Sequence, residues 1–339
     1  HDTASTACVT AMILARERAS QFSKNGAGLQ SVAAPLIVYS TAQAHSSIAK
    51  AVQLAGFGND KLRYVDEDPY SRAMLPEALA AAIEQDLAAG NIPAGIVCSV
   101  GATGTTAMDP VDEIAAIANR HGVWLHVDAA MAGSAMLLPE CRHLWQGVEQ
   151  ADSLAWNPHK WMGTILDTAL FYVRDTTHLE AVMSTNPSFL QSGADGQVTQ
   201  YRDWGIPLGR RFRALKLWFH LRLDGIEAIR TRLRRDLENA QWFAQQVDAA
   251  DGWEVLAPVT LQTVCIRHRP MDDSGNALRG DALDDHTLAW VERINASGAA
   301  FMSPSQLDGR WMVRVSIGVE ETTRDHVKRL WRLIQQAAG

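Results

Sequence analysis

Short apolar runs that alternate with helical stretches are the feature that most constrains this fold. The runs cover residues 35–39, 62–65, 95–100, 124–127, 153–156 and 169–173. Stretches of helical periodicity lie at 4–20, 46–54, 75–87 and 111–120. Continuously apolar strands that are separated by helices favour a parallel sheet covered on both faces. We therefore expect an α/β fold with a mostly parallel sheet.

The pattern changes after about residue 215. A long helical region over 215–247 precedes a smaller α/β section over 253–339. Because 339 residues are enough for two domains, we expect a large domain over 1–215 and a small C-terminal domain over 216–339. The polar segment 184–200 contains Pro187 and two glycines and lacks periodicity. Such a segment is expected to be a mobile functional loop.

Composition disfavours several classes of function. The 31 basic and 38 acidic residues give a net charge of −7, without the basic excess typical of nucleic-acid binding. The sequence also lacks a stretch with the length and hydropathy of a membrane span. Its four cysteines lie far apart and without a histidine at metal-ligand spacing, which predicts buried thiols in the cytoplasm and no metal site. Chemistry on a small molecule is the favoured class.

Two charged residues directly follow apolar runs. Asn157-Pro158 is a turn signal that presents His159 and Lys160 at the end of the fifth run. Asp128 follows the fourth run, where a carboxylate is costly to bury without a cation or a hydrogen-bond donor. A lysine for a Schiff base and an aspartate for a pyridinium nitrogen are parts that a pyridoxal phosphate enzyme requires. A lone loop lysine is otherwise most simply a solvated charge.

The beginning of the chain and one histidine extend this pattern. Residues 1–7 place hydroxyls and free N–H groups at the start of a helix, which suits a phosphate group. His45 follows the first apolar run, where an imidazole can stack on a planar cofactor or cap the next helix. The residues alone leave both roles of His45 open.

Four motifs together resemble the aromatic L-amino-acid decarboxylases, which are pyridoxal phosphate enzymes of fold type I. The motifs are NPHKW at 157–161, HVDAA at 126–130, AQAHSS at 42–47 and IPLGRRFR at 206–213. The resemblance implies a large domain with a mostly parallel seven-stranded sheet, a smaller C-terminal α/β domain and pyridoxal 5'-phosphate as cofactor. It also implies a homodimer with active sites at the interface, and a family-typical N-terminal region ahead of His1.

The resemblance assigns roles to individual residues. Lys160 resembles the Schiff-base lysine, Asp128 the partner of the pyridine nitrogen, and His45 the residue that stacks on the ring. Ala130 corresponds to the residue on the other face of the ring, and Arg314 to a small-domain arginine near the substrate. The resemblance further implies a phosphate cradle formed by Thr3, Ala4, Ser5 and Asn157. It implies that Thr103 and His159 line the catalytic site. Leu208 and Gly209 are expected to reach the site from the partner subunit.

One position departs from the family pattern. The loop tyrosine that supplies a proton after CO2 has left corresponds to Phe189, and a phenyl ring has no proton to give. The expected reaction is decarboxylation of tryptophan, phenylalanine, tyrosine or DOPA to the arylethylamine. Phe189 also makes an O2-consuming, acetaldehyde-forming reaction a serious alternative. Two simpler explanations are also open. His45 or water could protonate the carbon instead, or the phenylalanine was introduced at this position in order to trap a complex.

The substrate and the reaction class also have alternatives. The resemblance implies that Gly209 leaves room for a large ring such as indole or catechol, and that Trp161 separates the chain from the glutamate decarboxylase branch. A fold type I aminotransferase and an inactive scaffold are less favoured, because the first lacks the His-Lys motif in this form and the second would have lost Lys160 or Asp128. A group of arginines is interpreted as a solvated helix face: Arg230, Arg232, Arg234 and Arg235.

Overall fold

All six apolar runs form strands of one sheet in the computed structural model, which describes residues 1–22, 27–31, 33–191, 193 and 195–339. The strands are β1 Leu36–Ser40, β2 Leu62–Tyr64, β3 Ile92–Ser99, β4 Trp124–Asp128, β5 Ser153–Trp156 and β6 Leu170–Val173. Their order is β2-β1-β3-β4-β5-β6, and only the β5–β6 pair is antiparallel. The expected mostly parallel sheet is confirmed. The expected seventh strand has no counterpart among the described residues. The sequence contains only six apolar runs of this kind, and the expectation of seven strands rested on the resemblance alone.

Helices cover both faces of this sheet. They are α1 Ala4–Ala19, α2 Ser47–Leu54, α3 Pro76–Ala88, α4 Val111–His121 and α5 Thr176–Met183. Alternate residues of a strand point to opposite faces, so Val97 packs in the layer of α1 and α2, whereas Ile96 and Cys98 pack in the layer of α3 and α4. Burial on both faces explains why these strands are read as continuous apolar runs.

A second, antiparallel sheet lies in the C-terminal part of the chain. Its strands are β7 Trp253–Val255, β8 Thr263–His268, β9 Ser303–Leu307 and β10 Arg310–Ser316, in the order β7-β8-β10-β9. The helices after Trp253 are α8 Gly280–Ser297 and α9 Arg324–Ala338. Val327, Trp331 and Ile334 of α9 are buried at helical spacing and pack in a core that includes Trp290 of α8. The expected smaller α/β unit is therefore present.

The helical region between the two sheets is broken into α6 Ala214–Leu223 and α7 Ile226–Asp248. Gly225 immediately precedes α7 and has a positive φ of 79°. This backbone conformation interrupts the single helix that the periodicity predicts. Ile229 and Leu233 of α7 pack in the core of the large sheet, whereas Phe243 and Val247 pack in the core of the small sheet. One helix therefore contributes to both cores, and the domain boundary at 215/216 remains a prediction.

The arginines of α7 do not form a uniformly solvated face. Arg232 is 8% exposed and donates hydrogen bonds to the main-chain oxygens of Trp161 and Met162. Arg230 donates to the main-chain oxygen of Leu137 at 2.8 Å. The interpretation of a solvated face was wrong for Arg232, because sequence periodicity does not show that a long cation is directed at buried carbonyls.

In the part of the chain that the structure describes, no helix is both long enough and apolar enough to cross a membrane.

Acid is expected to weaken the small sheet through a buried histidine, His268, and its half-buried neighbour, His286. His268 stacks on Trp253 with ring centroids 4.5 Å apart, and its Nδ1 lies 3.0 Å from Nε2 of His286. Burial, and then the charge of His286, lower the pKa of His268 to about 4, while burial and Arg293 lower the pKa of His286. Because the unfolded chain binds a proton near pH 6.5, stability is full above that pH and is lost as pH falls toward 4.

The expected loss that is attributable to His268 is roughly 2 kcal/mol between pH 7 and pH 4.5. Urea unfolding at both pH values measures it. His268→Phe retains a ring against Trp253 and should reduce the difference, whereas His143→Phe, at an exposed position, should leave it unchanged. An identical pH dependence in His268→Phe and the parent protein would contradict this assignment.

Candidate active site

Lys160 lines a cavity between the large and small sheets. Asn157-Pro158 turns the chain after β5, and the N–H of Lys160 donates to the oxygen of Asn157 at 3.0 Å. The cavity has a volume of about 340 Å³. It is lined by Thr103, Met131, Lys160, Trp161, Gln262, Arg314, Ser316, Gly318 and Val319. The large unit thus supplies the amine, and the small unit supplies the opposite wall.

The surroundings of Lys160 lower its pKa, although the residue itself is exposed. Partial loss of water around Nζ is the main cause; Asp128 opposes this shift, and Arg314 adds to it. Among the described residues, none forms a hydrogen bond or an ion pair with Nζ. A lysine with a lowered pKa and a free Nζ can act as a nucleophile toward a carbonyl group.

Asp128 ends β4 and is only 7% exposed. Its Oδ1 accepts the N–H of Ala130 at 3.0 Å. None of the described cations forms an ion pair with it, and its charge acts on Lys160 and His45. A buried carboxylate with one uncommitted oxygen is suited to holding a proton on a ring nitrogen.

A buried chain of side chains lies behind Asp128, and sequence reasoning did not identify it. Nε1 of Trp124 donates to Oγ of Ser153 at 2.9 Å, and this Oγ lies 2.9 Å from Nδ1 of His126. Nε2 of His126 lies 3.5 Å from Sγ of Cys8 on α1. Burial lowers the pKa of His126 to about 4, so its ring is neutral at pH 7. The available signal was the i, i+2 spacing of Trp124, His126 and Asp128 along one face of a strand.

His45 follows β1, and its ring orientation is fixed by Ser47. Nδ1 of His45 accepts the N–H of Ser47 at 3.1 Å and lies 2.8 Å from the Ser47 hydroxyl. Burial lowers the pKa of His45, Lys160 and Arg314 lower it further, and Asp128 opposes them. The neutral ring therefore carries its proton on Nε2. The charges of Lys160 and Asp128 act on His45, and its membership of the Lys160 site and its stacking role remain predictions.

The start of α1 lies close to the turn that carries Lys160. Thr3 caps the helix by accepting the N–H of Thr6 at 3.4 Å. Ala4 packs in one cluster with Ala130, and the N–H of Asn157 donates to the oxygen of Ala130 at 3.0 Å. The expected phosphate cradle, to which Ser5 also belongs, is therefore contiguous with the Lys160 turn.

Asn157 allows a test of whether this region fits a phosphorylated cofactor. The residue is 3% exposed, and its Oδ1 is buried without a hydrogen-bond partner. An amide group can rotate to present its N–H instead, and the first N–H groups of a helix have no partner within the helix. Together these donors suit a phosphate group. The residues present therefore fit pyridoxal phosphate: Thr3, Ala4, Ser5 and Asn157 would lie near the phosphate and Asp128 near the ring nitrogen, and these roles remain predictions.

The small unit contributes an unpaired cation to the cavity. Arg314 lies on β10, and its Nε is buried without a hydrogen-bond partner in the described part of the chain. Burial lowers the pKa of this guanidinium group. Gln262, which sequence reasoning missed, is 1% exposed in the same wall, and its Oε1 is also buried without a partner. A charged donor group without an acceptor is suited to bind a carboxylate.

The other expected site residues divide into two groups. Thr103 lines the cavity, and Nδ1 of His159 accepts the N–H of Thr168 at 2.9 Å, so His159 is oriented beside Lys160. Phe189 and Leu208 are 81% and 56% exposed, and a Cβ on Gly209 would meet open space. The single chain does not bring these three residues to the Lys160 cavity. Their roles, the last two from a partner subunit, remain predictions.

The segment 184–200 begins after α5 and includes a short helical turn at Ser188–Leu190. Residues 192 and 194 of this segment lie outside the described residues. Its expected mobility remains a prediction.

Comparison with known proteins agrees with the geometry of this site. A phenylacetaldehyde synthase of Arabidopsis thaliana is 40% identical over 90% of this chain and 62% of its own length. Tryptophan decarboxylase 2 of Oryza sativa subsp. japonica is 38% identical over 99% of this chain and 66% of its own length. This chain therefore spans about 62 to 66% of the length of these curated relatives.

The chain is similar to a solved structure of Oryza sativa TDC with PLP and tryptamine, with a TM-score of 0.93 and 34% sequence identity. The alignment covers 100% of this chain and 69% of the solved chain. The family described as the pyridoxal-dependent decarboxylase conserved domain matches residues 1–269. These matches confirm the expected fold type I architecture and pyridoxal phosphate as the cofactor. The arrangement of Lys160, Asp128 and the α1 terminus, together with these matches, shows that the chain belongs to the pyridoxal-dependent decarboxylase family.

Proposed function

We propose that this chain carries the catalytic centre of a decarboxylase that converts an aromatic L-amino acid to its arylethylamine and CO2. The observation that carries the proposal is that Lys160 and Arg314 line one cavity, while the charge of the buried Asp128 acts on Lys160. The proposed substrates are tryptophan, phenylalanine, tyrosine and DOPA. The names of similar proteins, which include tryptophan and tyrosine decarboxylases, support this substrate class.

Each residue has a role that follows from its surroundings. When bound, pyridoxal phosphate supplies a carbonyl carbon that reacts with amines and a ring that accepts the electrons left when CO2 departs. Lys160 would hold this carbonyl carbon through Nζ. Asp128 would face the ring nitrogen and favour its protonated form, because its carboxylate is buried and pairs with none of the described cations. Arg314 binds and orients the substrate carboxylate through its free Nε.

A proton must reach the substrate carbon after CO2 has left. His45 carries an N–H on Nε2, because Ser47 occupies Nδ1, and its ring is electrostatically coupled to Lys160. We propose His45 as the proton donor that this chain itself supplies; it would act as the imidazolium and return to the neutral ring when the proton is transferred. Phe189 cannot take this role, since its side chain has no acidic proton.

A second candidate function rests on Phe189. A site that protonates the substrate carbon slowly exposes an electron-rich centre to O2, and the net reaction is then amino acid + O2 + H2O → aryl acetaldehyde + CO2 + NH3 + H2O2. Similar proteins include a phenylacetaldehyde synthase of Arabidopsis thaliana, so relatives with this activity exist at comparable identity. The two functions differ in products and in the need for O2.

Product analysis separates the two candidates. With L-tryptophan and L-phenylalanine, the decarboxylase is expected to release one amine for each CO2, at equal rates under air and under argon. Phe189→Tyr should leave this amine yield unchanged within about twofold, because His45 supplies the proton. Mass spectrometry of the products, together with a peroxide assay, measures both quantities.

Peroxide and aldehyde formed in equal amounts with CO2, and lost under argon, would replace the first function by the second. In that case Phe189→Tyr should restore amine at the expense of aldehyde. Conversion of a keto acid without CO2 would instead indicate an aminotransferase, and absence of any reaction an inactive scaffold.

We also propose a cytoplasmic homodimer. The four cysteines are free and buried, which fits a reducing compartment. Apolar side chains of the segment 206–213 are exposed, among them Ile206 at 61% and Phe212 at 74%. An exposed apolar segment of this kind supports a subunit interface, in line with the expected contribution of Leu208 and Gly209 to the partner's site.

A further inference from the structure

The segment that follows Lys160 is held by a buried carboxylate of α7. Trp161 is 3% exposed, and its Nε1 donates to Oδ2 of Asp236 at 3.1 Å. Asp236 is fully buried in α7. The residue next to Lys160 is therefore attached, through its side chain, to a helix that lies 75 residues further along the chain.

An arginine one turn earlier on α7 holds the main chain of the same segment. Nη2 of Arg232 donates to the oxygen of Trp161 at 3.1 Å and to the oxygen of Met162 at 2.5 Å. Its Nη1 lies 3.6 Å from Oδ2 of Asp236. The ion pair thus contacts both the side chain and the main chain of the two residues that follow Lys160.

The space around this segment allows little movement. A Cβ on Gly163, where φ is 90°, would lie 3.4 Å from Nη2 of Arg232, and a Cβ on Gly318 would lie 2.9 Å from the ring of Trp161. Gly318 lines the Lys160 cavity from the small unit. Trp161 is therefore enclosed between α7 and the cavity wall.

This ion pair is poorly arranged for stability alone. Oδ1 of Asp236 and Nη1 of Arg232 are buried and have no hydrogen-bond partner among the described residues. Burial raises the pKa of Asp236 to about 6, against the opposing effects of Trp161, Arg232 and Arg235. Buried ion pairs that are incompletely hydrogen-bonded contribute little to net stability, and some of them instead specify one arrangement of the chain.

We propose that Asp236 and Arg232 are positioning residues that fix the main chain of Lys160, so that Nζ is held in the cavity toward Asp128. The proposal rests on the proposed function of Lys160 as the residue that binds the cofactor. Asp236 and Arg232 act through Trp161 and Met162 and do not touch the reacting atoms.

Hydrogen exchange of the protein without cofactor tests the first part of the proposal. The N–H groups of Lys160, Gly163 and Thr164 donate at 3.0 Å to oxygens within the same turn. Asp236→Leu should increase exchange of a peptide covering 157–164 by about tenfold or more, because the turn opens locally. Asp236→Asn retains an acceptor for Trp161 and should restore most of the protection, while the exposed Asp248→Asn on the same helix should have no effect.

Attachment of pyridoxal phosphate tests the second part. The rate at which borohydride fixes the cofactor on Lys160 should fall by about tenfold or more in Asp236→Leu, and Asp236→Asn should recover most of it. Trp161→Phe removes only the N–H donor and keeps a ring in place. It should show the same two effects at smaller size, and it provides the test if Asp236→Leu does not fold.

Three results are decisive. Parent-like exchange and parent-like attachment in folded Asp236→Leu and Trp161→Phe would overturn the positioning role. A lower melting temperature with unchanged hydrogen exchange and unchanged cofactor attachment would show that Asp236 has only a structural role. This result would also overturn the positioning role. If the parent protein itself attaches no cofactor at Lys160, the proposed function fails, and faster exchange in the variants would still report the contact between α7 and the Lys160 turn.

Discussion

Lys160→Ala is expected to abolish covalent attachment of pyridoxal phosphate and to lower kcat/KM for CO2 release by roughly 10⁴-fold or more. Lys160 supplies the sole primary amine among the described residues that line the cavity. Its lowered pKa makes the neutral amine more abundant near pH 8 than it is for a solvated lysine. Borohydride reduction followed by peptide mass spectrometry locates the attachment, and release of labelled CO2 measures turnover.

Two further lysine variants make this prediction specific. Lys160→Arg keeps the positive charge in the cavity but removes the nucleophile, so it should be as inactive as Lys160→Ala. Lys50→Ala changes an exposed lysine of α2 and should behave as the parent. Attachment of the cofactor to another lysine in Lys160→Ala, with turnover within about tenfold of the parent, would refute the assignment.

Asp128→Asn is expected to lower kcat for CO2 release by about 10³-fold while the variant keeps its fold. Asparagine can still accept the N–H of Ala130, so the change removes the charge and leaves the turn after β4 intact. Without a carboxylate, the ring nitrogen is no longer held protonated, and the ring accepts electrons poorly. Stopped-flow measurement of CO2 release, with cofactor affinity followed by absorption, separates the two effects.

A charge-retaining variant and a matched control complete this test. Asp128→Glu retains the charge at a shifted position and should recover part of the lost rate, whereas Asp60→Asn, at an exposed position, should have no effect. A cofactor analogue with a permanent positive charge on the ring nitrogen should raise the turnover of Asp128→Asn. Turnover of Asp128→Asn within about threefold of the parent would show that the carboxylate is not the partner of the ring nitrogen.

The sequence predicted those parts of the site that follow strands directly. Lys160 and Asp128 stand at the ends of β5 and β4, and the carboxyl ends of neighbouring parallel strands meet at one edge of the sheet. Each of these strands is a continuous apolar run because it is buried between two layers of helices. A polar residue just after such a run is therefore conspicuous in the sequence itself.

The residues that were missed lie within elements or far along the chain. His126 is internal to β4, and its burial and its contacts with Ser153 and Cys8 arise from tertiary packing that no local pattern indicates. Arg232 and Asp236 have i, i+4 spacing, which is also typical of a solvated ion pair on a helix. Their burial depends on tertiary packing, and periodicity does not determine what packs against a charged turn of a helix.

Gly225 and Phe189 show two other limits of sequence reasoning. The glycine breaks a helical region that remains periodic on both sides, so the pattern alone predicts one helix where the structure has two. Phe189 is identified as a departure only through the resemblance, and its 81% exposure in a single chain gives it no partner in the Lys160 cavity. Its chemical consequence therefore depends on product analysis.

Helix α7 has a consequence for how the molecule loses its structure. Its first turns complete the core of the large sheet, its last turns complete the core of the small sheet, and Asp236 lies between them against Trp161. Unravelling either end would expose apolar side chains of an uninterrupted helix and would withdraw support from the turn at Lys160. We therefore expect the two sheets to unfold as one cooperative unit, so that the amine between them is presented only while both remain folded.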